Sequence, residues 1–301
     1  MEKREIMLYI SITEDGRGCL EEREREGNVF SLVKELKDYL GEDCQYMRSI
    51  PGYIKRGYMC PYINNEEDCL QEYKYSELLY EKESKWQNIK IYKTENCGNL
   101  LALDDDIMIG ESDLIYSKTL LGIGKNNFKD KRVLILGGGD GGILNELLME
   151  KPKYVIMVEI DEEVIKACRN YMRKVCKDSM DNYKGDNYEI IIDDCVNVMR
   201  QCVENNTKFD YVINDLTEFC VEEGVGHSYD YENTNTILDL SIKVLKQDGK
   251  YLSRGNTVDA KEYLARYEKC MKNLSLDFQK TEIIVPSFNS PYWIYEAWRT
   301  N

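Results

Sequence analysis

From residue 131 onward the chain alternates between apolar runs of strand length and segments with helical spacing. The runs are 133–136, 154–158, 188–192 and 211–213, and the helical segments between them are 142–149, 161–172 and 196–203. The segment after Glu159 places Val164, Ile165, Cys168 and Met172 on one face, the stripe that a helix turns toward a core. Strands alternating with helices predict βαβ units and a parallel sheet covered on both faces. A long helix over 233–246, closed by Gln247-Asp248-Gly249, leads to a strand at 250–253. A helix over 260–274 and β segments at 282–285 and 292–298 follow.

The first third of the chain reads differently. Residues 6–12 form a strand-like run, and 28–40 an amphipathic helix carrying Phe30, Leu32, Val33, Leu36 and Leu40. The charge run EEREREG at 21–27 is most simply a solvated turn, and 49–52 (Ser-Ile-Pro-Gly) a linker. The unit 1–48 is too small to hold a core alone and is expected to pack on the rest or on a second copy. Over 55–110 the pattern is β, with strands at 73–80, 88–92 and 100–103 and a turn at Asp104-Asp105-Asp106. A helix over 111–121 leads into the third region, 111–301.

Candidate chemistry begins at 133–146, VLILGGGDGGILNE. An apolar run feeding a G-x-G-x-x-G turn, here Gly137, Gly139 and Gly142, predicts the first strand, loop and helix of a nucleotide-binding α/β sheet. Asp140 inside the loop changes the reading. A loop built for pyrophosphate offers backbone N–H groups and a helix N-terminus, which favour an anion; a carboxylate there repels phosphate and attracts a cation. About 20 residues on, the next run ends in Glu159, placed to accept hydrogen bonds from a ribose diol. An adenosyl sulfonium fits both carboxylates, and NAD fits one. Ligands of such sheets sit outside the carboxyl ends of the strands, and those ends read Asp140, Glu159, Asp194 and Asp215. Any one of these acids could simply cap a helix; the four together predict a cation-binding site.

Charge agrees with that reading. The formal net charge of −15 disfavours nucleic acid and anionic membrane surfaces and favours a polycationic small molecule, although acidity also serves solubility. The start MEKREIMLYI has no apolar stretch of signal-peptide type, no window has the length of a membrane span, and a cytoplasmic location is expected. Eleven cysteines without a C-x-x-C pair are expected to be reduced thiols. The single histidine, His227, leaves no parts for a His-based metal site or triad.

The segments LILGGGDGGI, MVEID, FDYVINDLT (209–217) and ILDLSIKVLKQDGKY (237–251), with ESDLIYSK (111–118) and WQNIKI (86–91) upstream, resemble the aminopropyltransferases and, within them, the spermine synthases. Asp-Leu-Thr at 215–217 is closer to spermine synthases than the Asp-Ser-Ser usual in spermidine synthases. The resemblance implies a methyltransferase-like Rossmann-type α/β sheet beside a small N-terminal β region. It also implies transfer of an aminopropyl group from decarboxylated S-adenosylmethionine to spermidine, giving spermine and methylthioadenosine, with no metal or resident cofactor. Carried over by residue, Asp215 and Asp140 are catalytic, with Asp215 the proton acceptor. Asp140 and Tyr116 hold the amine, and Gln87, Glu159, Asp194 and Cys195 form the donor pocket. A homodimer is expected.

The chain departs from the family in three places. Residues 1–48 look like the second half of a longer N-terminal domain that mediates dimerisation. Trp86 stands where a Tyr is common, and Phe288 and Ser290 stand where spermine synthases carry a Tyr and a Glu against the acceptor. With that Glu replaced, Glu218, Glu222 and Glu223 are candidates to hold the acceptor's distal charge. Spermidine and thermospermine synthases, a true methyltransferase and a non-catalytic regulatory paralogue are the alternatives.

Overall fold

The computed structural model describes residues 7–12, 18–24, 44–51, 62–64, 70–216 and 229–300. The chain divides into two compact units, Met1–Ile63 and Asn64–Asn301. In the first, β1 (Met7–Ile12), β2 (Gly18–Glu24) and β3 (Cys44–Pro51) form a sheet in that order, with β2 antiparallel to β1 and parallel to β3. Two expectations are corrected here. The acidic run 21–24 lies in the central strand rather than a turn, because its backbone is paired on both sides. Residues 49–51 extend the edge strand rather than forming a linker; an edge position and a strand end are where Pro51 is tolerated. The expected helix at 28–40 lies outside the described residues.

Two three-residue strands, β4 (Tyr62–Asn64) and β5 (Leu70–Glu72), precede an antiparallel meander. This is β6 (Tyr75–Glu83), β7 (Asn88–Thr94), β8 (Asn99–Leu103) and β9 (Asp106–Gly110). The expected aspartate turn joins β8 to β9, with Asp104 and Asp105 at φ 50° and 70°. Ile89, Ile91, Leu101 and Ile109 turn inward and join the core of the following sheet.

That sheet has seven strands in the order β12-β11-β10-β13-β14-β16-β15. Its parallel part is β10 (Arg132–Gly137), β11 (Tyr154–Glu159), β12 (Tyr188–Ile192), β13 (Phe209–Asp215) and β14 (Leu245–Thr257). The antiparallel hairpin β15 (Leu276–Val285) and β16 (Ser290–Arg299) closes it through β14. The parallel strands thus run 3-2-1-4-5 in order of appearance, the doubly wound, methyltransferase-like α/β arrangement. The central strand shows why its sequence is apolar without alternation. Val133 and Ile135 enter one core cluster and Leu134 and Leu136 the other.

On the first face lie α1 (Leu114–Leu121), α2 (Gly142–Met149) and α3 (Glu162–Tyr171), followed by the single turn α4 (Arg173–Cys176). On the second lie α5 (Cys195–Glu204), α6 (Tyr229–Val244) and α7 (Lys261–Asn273). The expected stripe of α3 is buried throughout, with Val164 the most exposed member at 4%. At the end of α6 the reading shifts: β14 begins at Leu245, not Lys250. The predicted Gln247-Asp248-Gly249 turn survives as a bulge, between the pairs Phe209–Leu245 and Tyr211–Lys250.

Candidate active site

Strand β10 ends at Gly137, directly beside Asp215 at the end of β13. Gly137 has φ 79°, and a Cβ there would lie 2.7 Å from the backbone oxygen of Asp215, so no side chain fits between the two strand ends. Two residues on, the Gly139 N–H donates to Glu159 Oε2 at 3.1 Å, and a Cβ on Gly139 would meet that oxygen at 2.9 Å. The other Glu159 oxygen accepts from the Asp161 N–H at 2.9 Å. Asp140 is turned by its own loop, with Oδ1 accepting from the Gly142 N–H at 2.7 Å. The glycine spacing therefore sets three carboxylates around one strand-end crevice.

Side chains from far along the chain complete it. The Tyr116 hydroxyl on α1 donates to Asp215 Oδ1. The helix is held there by Asp113, which is 1% exposed. Asp113 accepts from the Gly110 N–H at 2.6 Å and the Ser287 N–H at 2.9 Å, next to Phe288. Gln87, between β6 and β7, donates to Asp161 Oδ2 at 3.0 Å; Ser84 donates to the same oxygen at 2.6 Å. Asp161 also caps α3 by accepting from the Glu163 N–H at 3.0 Å, so the meander is fastened at the helix that follows Glu159.

These groups face one cleft outside the strand ends, open to solvent. Its polar lining is Gln87, Tyr116, Asp140, Glu159, Asp215 and Arg254, and its apolar lining includes Leu101, Met108, Val164, Val285 and Phe288. Gly137 and Gly139 also line it, while Gly142 starts α2 just behind the loop. Asp194 and Cys195 are not among the lining residues. Asp194 Oδ1 accepts from the Val196 N–H at 2.8 Å as the cap of α5, and Cys195 packs in the second core cluster, 8% exposed. Thr217, Glu218, Glu222, Glu223 and His227 lie outside the described residues. Ser290 starts β16 and does not line the cleft.

Sequence reasoning missed Asp113, Asp161 and Arg254. Asp161 carried a usable signal, an acid before an amphipathic run. Arg254 carried none, since its place depends on which strand lies beside β13.

Among the described residues lining the cleft, Arg254 is the only cation. Burial raises the Glu159 carboxyl to about 7. Burial and then the Asp140 carboxylate raise Asp215 to about 8, against the Tyr116 hydroxyl and Arg254, which favour its ionised form. Asp140 is also raised, by burial, with its N–H contacts opposing. Tyr116 is pushed well above its ordinary value by burial and by Asp215, so it stays a phenol and donates. Three carboxyls reluctant to ionise alone are poised for a cation. Among the described residues no group of three or more His, Cys, Asp or Glu side chains is placed to hold a metal ion.

Comparison with known proteins fits this geometry. The model described as the spermine/spermidine synthase domain matches residues 113–301, and that described as the spermidine synthase tetramerisation domain matches 61–111. A polyamine aminopropyltransferase of Pyrococcus abyssi is 33% identical over 201 residues, 64% of this chain and 71% of that protein. One from Pectobacterium carotovorum is 34% identical over 151 residues, 49% of this chain and 50% of that protein. The chain thus spans about half the length of several of the curated relatives it matches. In fold it is similar to a spermidine synthase from Thermotoga maritima. The TM-score is 0.64 and the identity 22%, with 83% of this chain and 81% of that one covered. A spermidine synthase in complex with the transition-state analogue AdoDATO gives the same TM-score at 20% identity, covering 83% and 82%. With the glycine loop, Tyr116, Asp140, Glu159 and Asp215 all inside the matched span 113–301, the chain belongs to the spermine/spermidine synthase family.

Proposed function

We propose that the chain transfers an aminopropyl group from decarboxylated S-adenosylmethionine to an amine, releasing methylthioadenosine. The observation that carries this is Asp140 in the glycine loop, facing the same cleft as Glu159 and Asp215. Undecarboxylated S-adenosylmethionine brings a carboxylate toward these acids, whereas the decarboxylated donor brings a sulfonium and an ammonium. That difference favours aminopropyl over methyl transfer.

The chemistry follows from the charges. Glu159 holds the ribose end of the donor, and Gly137 and Gly139 let the backbone approach it closely. Asp194 and Cys195, implied by the resemblance for the donor pocket, follow β12, the strand beside β11 whose end carries Glu159. The acceptor amine arrives protonated and has no lone pair to offer. Asp140 and Tyr116 hold it, and Asp215 takes one proton from it. The freed lone pair attacks the propyl carbon bound to sulfur. The new N–C bond forms as the C–S bond breaks, and its electron pair neutralises the sulfonium. Methylthioadenosine leaves as an uncharged thioether, and the product nitrogen keeps its positive charge. Two oriented reactants gain the rate advantage of proximity.

Asp215-Leu216-Thr217 favours spermidine as acceptor and spermine as product; Phe288, which lines the cleft where a Tyr is usual in spermine synthases, counts the other way. The match of residues 61–111 to a spermidine synthase tetramerisation domain and the small size of the 1–48 unit support a homo-oligomer, a homodimer in the first instance. Incubation with decarboxylated S-adenosylmethionine and an amine panel, read by mass spectrometry, tests the reaction. Methylthioadenosine and an aminopropylated amine are expected. Methyl transfer from S-adenosylmethionine, or no turnover with any amine, overturns it.

A further inference from the structure

Asp215 and the residue before it point to opposite faces of the sheet. Along β13, Ile213 joins the first core cluster and Val212 the second, so the alternation carries Asp215 to the cleft and Asn214 to the far face. Asn214 is accordingly not among the residues lining the cleft, while its two successors, Asp215 and Leu216, are. It reaches them through the backbone. Strand pairing ends at Asn214 on the β14 side and at Asp215 on the β10 side, so the ladder fixes the chain no further than the base. Just there, Asn214 Oδ1 accepts from the Leu216 N–H at 3.2 Å and closes a turn around Asp215.

The Asn214 amide serves that turn in one orientation only, and a buried network sets it. Its Nδ2 donates to the Tyr251 hydroxyl at 2.8 Å, and the same oxygen accepts from the Tyr267 hydroxyl on α7 at 3.3 Å. Tyr267 in turn lies 2.8 Å from Ser253 Oγ. Tyr251, Tyr267 and Ser253 are all buried. With two donors converging on the Tyr251 oxygen, that position takes the NH₂ of the amide and leaves its carbonyl for Leu216. An aspartate in place of Asn214 would have no N–H for Tyr251. It would also add a negative charge near Asp215, where burial and Asp140 already oppose ionisation. Bonds of this kind inside an apolar cluster are costly to break and hold one arrangement.

We propose that Asn214 is the positioning residue of the base: locked by Tyr251, it fixes the turn that aims the Asp215 carboxylate at the Tyr116 hydroxyl and the acceptor amine. The inference rests on the aminopropyl transfer proposed above, with Asp215 as proton acceptor, and adds what aims that acceptor. The assay uses decarboxylated S-adenosylmethionine and spermidine. N214L removes the acceptor for the Leu216 N–H, and kcat is expected to fall roughly 10- to 100-fold, the size of a misaimed catalytic group. KM for the donor and binding of methylthioadenosine should change little, because Asn214 faces away from the cleft. N214S keeps an oxygen that can close the same turn and should recover most of the loss. Y251F leaves the turn but unlocks the amide, and should fall between.

The pH profile separates aiming from folding. The Tyr116 hydroxyl favours the ionised form of Asp215, so a base turned away from it ionises at higher pH. The acidic limb of kcat should therefore move up by about half a pH unit or more in N214L. L264A opens a cavity on α7 in the same core cluster; it should lower the melting temperature and leave kcat and the limb in place. Normal turnover by N214L overturns the inference and leaves aminopropyl transfer intact. So does an equal loss in N214L and L264A with no movement of the limb, which makes Asn214 part of the core only. If N214L does not fold, Y251F carries the test, and an unchanged kcat and limb in Y251F overturns the inference. If the unmodified protein forms no methylthioadenosine with any amine, the underlying reaction fails and this inference with it.

Discussion

The two halves of the cleft are built in different ways. The donor half, at the ends of β10 and β11, is fixed by backbone: glycines at positive φ, and main-chain N–H groups that orient Glu159 over two residues or across one strand spacing. The acceptor half is fixed by side chains from separated elements. Tyr116 reaches Asp215 from 99 positions away, and Asp113 ties α1 to Ser287 across 174. Backbone-built sites tolerate few sequences, whereas side-chain-built ones can be re-specified by one substitution. The donor half should therefore be constant in what it binds and the acceptor half, with Phe288 in its lining, open to change.

The sharpest way to break this comparison is at its junction. Asp215→Asn keeps the shape of the cleft and removes proton acceptance, and kcat should fall by roughly 10²–10⁴. Binding of methylthioadenosine should hardly change, because Glu159 and the loop remain. Near-normal turnover would remove Asp215 as the base.

Next in size is Gly137→Ala. It places a β-carbon 2.7 Å from a backbone oxygen at φ 79°, so the two strand ends must part. A loss of about 2–4 kcal/mol in unfolding free energy is expected, with weaker binding of every adenosyl ligand. An unchanged denaturant midpoint would show that the strand ends are not tightly joined.

The same contrast explains what the sequence made legible. The order of strands and helices after residue 131 follows from periodicity, because both faces of each parallel strand are buried and its run is wholly apolar. The glycine loop, Asp140 and Glu159 were readable because their geometry is local. Asp215 was readable as a strand-end acid, and Tyr116 only through resemblance. Arg254 was not readable, since no local pattern tells which strand neighbours β13. The central β2 was misread because its pairing on both sides leaves no mark in a run of Glu and Arg. Asp194, read as a ligand group, is engaged as a helix cap, the ordinary alternative for such an acid.

A smaller effect tests the loop carboxylate. Asp140→Asn should weaken binding of the cationic substrates, donor or acceptor amine, by about tenfold, on the order of one charged contact, and that of uncharged methylthioadenosine much less. Equal losses by calorimetry would make Asp140 only a former of the Gly142 turn.

The gentlest test leaves the sequence intact and varies pH. Glu159 near 7 and Asp215 near 8 stand above the value of about 4 that carboxyls have in an unfolded chain. Between about pH 4 and pH 8 the empty folded protein thus holds more protons than the unfolded one. Linkage then makes stability fall as pH rises through that window, the reverse of an ion-paired acid. Glu162 and Glu163, held low by Lys166 and Lys82, act at lower pH and do not mask the trend. A drop on the order of 6 kcal/mol between pH 5 and pH 8 follows if both shifts act in full. Asp215→Asn should flatten much of it, and thermal unfolding across that range measures both. A cationic ligand needs the ionised carboxylates, so its binding should strengthen up to about pH 8 and release protons at neutral pH. Calorimetry in two buffers of different ionisation enthalpy detects that release. Methylthioadenosine, lacking the positive charge, should release fewer protons. If both ligands release the same number, the raised carboxyls do not respond to charge, and the cleft is not the cation site its acids describe.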